Sequence, residues 1–257
     1  MKRRQHWLFG GIIGIAVVVA ILYVMARYRS LPETRPQTFT ATYRANIPQA
    51  ELYEEMVIAP LGSYYQLTYQ HYVSRINFTL TTEELDAVYA AFRTSSFSRI
   101  PTGQRSLAAD EAGTYVSLQA GSRTYVVIET AEDLITDAWT AQWQFVRQAL
   151  FAIRGREVQK QIVPFTITLD PSLIGAPLTL YLNREVLFEG EVDVNETQTP
   201  VTFTKIPGDY LVELVLGELY SYEFTLSADS SLLVALIDNQ VTINGECISC
   251  ATVREAP

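Results

Sequence analysis

The sequence predicts a membrane-anchored α+β domain followed by an all-β sandwich, and three observations carry that reading. Residues 7–26, WLFGGIIGIAVVVAILYVMA, form an uncharged run flanked by Lys2, Arg3 and Arg4 before it and Arg27 and Arg29 after it. Residues 38–155 mix β-rich runs with two segments of helical apolar period. Residues 160–245 then show only short β runs separated by turn residues.

A helix of about twenty residues, rising about 1.5 Å per residue, matches the roughly 30 Å hydrocarbon core of a bilayer. The stretch 7–26 is therefore expected to be a single transmembrane helix, with 1–6 cytoplasmic and 27–37 a linker. A cleaved signal, ending at Val24-Met25-Ala26, is the competing reading, but signal cores run to about 7–15 residues. Three basic residues before the run against two just after it place the N-terminus in the cytoplasm and the body outside it. Gly10 and Gly14 stand on one face of this segment, spaced for close approach of a second helix.

The charge pattern limits the partners. Residues 1–26 hold three of the basic residues and no acid, leaving 16 basic against 28 acidic residues, a net charge of −12. So acidic a body lacks the basic surface that nucleic acid requires. A protein or glycan partner is expected instead.

In the first domain, 38–155, Thr38–Asn46 alternates apolar and polar residues as a half-buried strand does. A longer β region covers Leu52–Leu80 and breaks near Pro60-Leu61-Gly62. Taken as continuous, it puts Tyr64, Gln66, Gln70 and Tyr72 on one side. Leu80-Thr81-Thr82-Glu83-Glu84-Leu85 carries a capping box, with Thr81 as N-cap and Glu84 at N3, inside a Leu80/Leu85 staple. Leu85, Val88, Tyr89 and Phe92 continue it as an apolar helical stripe. Thr114–Ala120 and Arg123–Thr130 form a hairpin across Gly121-Ser122, a pair suited to a type II′ turn. A second helix from about Asp137 keeps Trp139, Trp143, Val146, Leu150 and Ile153 on one face and is expected to stop at Gly155.

In the second domain, 160–245, the β runs are Val163–Leu169, Pro177–Asn183, Glu185–Val192, Pro200–Lys205, Tyr210–Leu216, Leu219–Leu226 and Ser231–Ile237, with Val241–Asn244 as an eighth. Such spacing predicts an antiparallel β-sandwich. Leu180–Val186 followed by Lys205-Ile206-Pro207-Gly208-Asp209-Tyr210-Leu211-Val212-Glu213 resembles PEGA-type and related Ig-like modules of bacterial envelope proteins. The strand-rich stretch ending in Leu80–Tyr89 resembles the ectodomains of bacterial membrane-anchored proteins and lipoproteins. Those resemblances imply an envelope setting and no particular activity.

No motif supports a cofactor or a metal site. Tyr64, Gln66, Gln70 and Tyr72 offer flat rings beside planar amides, a combination suited to carbohydrate or an extended peptide. Cys247 and Cys250, in the C-terminal tail 246–257, are expected to form a small disulfide in an oxidising compartment. A thiol–disulfide role for that CxxC is an alternative, as is an envelope hydrolase using the loop carboxylates Asp110 and Glu111 with His71, the body's one histidine. The expected function is non-catalytic: an extracytoplasmic binding or scaffolding protein, accessory to an envelope assembly.

Overall fold

The computed structural model describes residues 30–102, 107, 111–228, 230–238 and 240–248. The segment 7–26, with Gly10 and Gly14, lies outside them. Among the described residues no helix is long and apolar enough to cross a membrane. The expected membrane helix therefore has no counterpart in the described fold, which is mostly β-sheet with three helices.

Six antiparallel strands open the fold: β1 (Phe39–Ile47), β2 (Leu52–Ile58), β3 (Ser63–Tyr69), β4 (Tyr72–Phe78), β5 (Gly113–Ala120) and β6 (Arg123–Thr130), in the order β6-β5-β1-β2-β3-β4. One face carries Phe39, Ala41, Tyr43, Met56, Tyr65 and Ile76 against helices α1 (Thr82–Thr94) and α2 (Asp137–Gln161). The capping box forms as the residues dictate: Thr81 Oγ1 accepts from Glu84 N at 3.2 Å, and Thr81 N donates to Glu84 Oε2 at 2.8 Å. In the β5–β6 turn only Gly121 of the two central residues has positive φ, as type II′ requires.

Helix α2 does not stop at Gly155. It continues to Gln161, with Ile162 as its C-cap, and β7 (Val163–Leu169) begins at once. Glycine lowers helix propensity by about 1 kcal/mol, less than the packing of Val158 and Ile162 on the core returns. Ion pairs also hold the last turns. Glu157, 4% exposed, meets Arg156 at 2.7 Å and Lys160 at 2.9 Å, while Arg156 reaches Glu84 on α1 at 2.7 Å.

The second half is sandwich-like. Strands β8 (Pro177–Leu182), β9 (Glu185–Glu191), β11 (Gly208–Leu216) and β12 (Glu218–Leu226) face β10 (Val201–Lys205), β7, β13 (Ser231–Ile237), β14 (Gln240–Ile243) and β15 (Glu246–Cys247). Phe165, Leu180, Val212, Leu226, Leu232 and Ile243 fill the space between. At the entry to β11, Tyr210 Oη donates to Ile206 O at 2.8 Å, a tyrosine-corner arrangement that fixes the Pro207-Gly208 bend.

Three features correct the expected α+β domain followed by an all-β Ig-like sandwich. A short helix, α3 (Val194–Gln198), closes its own capping box between Asp193 and Glu196. Strands β7 and β13 pair in parallel, so the sandwich is not purely antiparallel. Most important, the first sheet does not end at β4: Gly208 of β11 pairs with Ser74, joining both halves in one ten-stranded sheet. Leu211 packs on Tyr69 and Tyr72 beside that joint, and Ile206 enters the core of the first half.

The expected linker is also corrected at its distal end. Leu31 is buried, Tyr89 Oη donates to Pro32 O at 2.9 Å, and Arg35 pairs with Asp86 at 2.7 Å. Residues 31–35 are thus docked along α1 and do not act as a free spacer.

Candidate functional site

Neither long helix covers the second face of the six-stranded sheet. Register sets its composition. Tyr115 of β5 lies opposite Arg44 of β1, Arg44 opposite Glu55 of β2, Glu55 opposite Gln66 of β3, and Gln66 opposite Arg75 of β4. With strands about 4.8 Å apart, this row of five side chains crosses about 19 Å of sheet. Flanking it on one side are Tyr64 and Asn77, on the other Tyr53 and Thr68, each an opposed pair.

Glu55 is the centre of the row. It accepts from Tyr64 Oη at 2.6 Å, from Arg44 Nε at 2.7 Å and from Tyr53 Oη at 3.3 Å. Partial burial would raise its carboxyl, but the donors, Tyr64 and Arg44 foremost, outweigh that and hold it below the usual carboxylate range. Burial, reinforced by the hydrogen bond to Glu55, pushes Tyr64 up to about 12. The Arg75 guanidinium lies 3.8 Å from the Tyr64 ring centre, and that of Arg44 5.4 Å from the Tyr115 ring centre. Arg44 is neutralised by Glu55, whereas Arg75, exposed, bonds the neutral Asn77 at 3.2 Å. The result is a hydrogen-bonded, slightly cationic patch of rings, amides and guanidinium groups on an acidic protein.

Of the four residues expected together, Tyr64 and Gln66 lie here and Gln70 and Tyr72 do not. The chain turns at Gln70-His71, so that Tyr69 and Tyr72 oppose each other and share the buried face. Gln70, with φ of 53°, occupies the turn and bonds Glu51 at 2.5 Å. Tyr72 Oη reaches Glu223 of β12 at 3.1 Å, making it a joint residue. Tyr53, Tyr115, Arg44, Glu55 and Arg75 were missed because cross-strand neighbours are distant in sequence. Their alternation within each strand was the available signal.

Each of the other expected groupings includes a residue outside the described ones. His71 faces Glu223 at 3.9 Å, whereas the backbone carbonyl of Glu111 accepts from Asn46 on β1; Asp110 lies outside the described residues. Cys247 is a free, exposed thiol, and Cys250, the partner expected for it, lies outside the described residues. Among the described residues no group of three or more His, Cys, Asp or Glu side chains is placed to hold a metal ion. A comparison with protein-family models gave no match, and neither did a search of curated proteins.

Proposed function

We propose that this protein is a non-catalytic binding or scaffolding protein, displayed outside the cytoplasm at a membrane surface, and that the open sheet face binds glycan. The observation that supports this most is the five-residue row Tyr115–Arg44–Glu55–Gln66–Arg75 with Tyr53 and Tyr64 beside it. Backbone groups inside a sheet are already paired, so an occupant of the face is read by side chains alone. Tyrosine rings suit the apolar faces of sugar rings, while amides and guanidinium groups bond hydroxyls and carboxylates. An extended peptide prefers a sheet edge, where backbone donors and acceptors are open to it.

The setting rests on sequence: the uncharged stretch 7–26, its basic flanks, and the likeness to envelope modules.

Binding of the full-length protein to immobilised neutral and carboxylated oligosaccharides tests the reading, with Tyr64→Ala/Tyr115→Ala as the variant. Two rings at about 1 kcal/mol each correspond to about thirtyfold weaker binding. No oligosaccharide binding by the wild type, or equal binding by a folded double variant, would refute it.

A further inference from the structure

We infer that the cleft between the two cores is a second binding site, built for an uncharged, mostly apolar small molecule. The cleft encloses about 690 Å³, within the range of small-molecule sites, and lies where two units meet, a common place for them. Its first wall comes from β3 and the end of α2, with Leu67, Val158 and Ile162 half-buried; its second comes from β8, β11 and the segment before β11, with Leu182, Ile206 and Tyr210.

Charge selects the ligand. Two cations line the cleft, and each is already paired within the protein: Arg154 with Glu54, and Lys205 with Glu185. An ionic ligand would have to break one of these pairs, whereas a neutral one leaves both intact. Gln159, Thr204 and Asn183 supply neutral hydrogen-bonding groups for a carbonyl or hydroxyl at its edge.

Gly155 is the second, independent observation. It lies inside α2, where glycine is destabilising relative to alanine, and its φ is not positive. Apart from its chain neighbours and the backbone of its own helix, nothing lies within 4 Å of the position a Cβ would take, so no packing contact requires its smallness. It lines the cleft, and an entering molecule passes against bare backbone there. The site does not depend on the glycan reading, because the open sheet face is on the opposite side of β3 from Leu67.

Photolabelling of full-length protein with benzophenone, a neutral aromatic ketone, followed by peptide mapping, tests the site. Label is expected on Leu67, Val158 or Ile162, and Gly155→Phe should reduce it tenfold or more while Gly155→Ala preserves it. Gln159→Trp, one helical turn further on and exposed, is a second blocking variant should Gly155→Phe fail to fold. Label confined to residues outside the cleft, or cleft label undiminished in a folded blocking variant, overturns the inference.

Discussion

Replacing Gly208 by alanine tests how the two halves are joined. An added Cβ would stand 2.4 Å from Ser74 Cα, 2.7 Å from Val73 O and 2.8 Å from Ser74 Cβ. Two of these are backbone atoms of β4, so no side-chain rotation relieves the overlap. The φ of 149° at Gly208 adds a second penalty, because L-residues rarely adopt it. Strain of about 1–3 kcal/mol for such a conformation and about 1–3 kcal/mol for overpacking sum to roughly 4 kcal/mol. That is a large part of an ordinary domain's 5–15 kcal/mol. The cost falls on the one strand pair connecting β4 to β11, so it should separate the halves before it unfolds either. Urea unfolding of the full-length protein, followed both by Trp139 and Trp143 fluorescence and by far-UV dichroism, reads this out. Wild type should give coincident transitions; Gly208→Ala should give two transitions, or one shifted by about 4 kcal/mol. A variant within about 0.5 kcal/mol of wild type, with coincident transitions, would show that the joint carries no load.

Two further perturbations probe the same framework. Tyr210→Phe removes the hydroxyl bonded to Ile206 O at 2.8 Å and should cost about 1 kcal/mol in urea unfolding, with the fold retained. Stability should also fall in acid. Glu55 and Glu157 both sit below the usual carboxylate range, so their contribution is complete above the unfolded value of about 4.3 and lost as pH falls through their folded values. Burial raises Glu213, whose effect has the opposite sign, favouring the fold as pH drops through its folded value. Glu55→Gln should therefore flatten the acid limb of a plot of thermal midpoint against pH; an unchanged slope would show that the cluster around Glu55 adds nothing to folding.

Local chemistry was legible in the sequence because its partners are near neighbours. Thr81 and Glu84 are three residues apart and close their box as expected, and Asn183-Arg184 supply the two positive φ values of a tight hairpin turn. The second-half strands were readable by their alternation and turn residues. What was not legible depends on residues far apart. The turn at Gln70-His71 has no glycine, proline or asparagine to mark it, so continuing the strand through it moved Tyr72 to the wrong face. Gly155 carries an ordinary helix-stop signal, overridden by packing that only the folded chain reveals. The Gly208–Ser74 pairing spans 134 positions and leaves no trace in local period. The site was legible in kind, as tyrosines with planar amides, but its membership required the sheet register.

Hydroxyl-radical footprinting of the full-length protein, with and without a bound oligosaccharide, tests the central claim most directly. The account predicts protection of Tyr53, Tyr64 and Tyr115 on the open face, with oxidation of Tyr72 and Trp139 unchanged. Protection centred on Tyr72, or no change at the three open-face tyrosines while the oligosaccharide is bound, would contradict it.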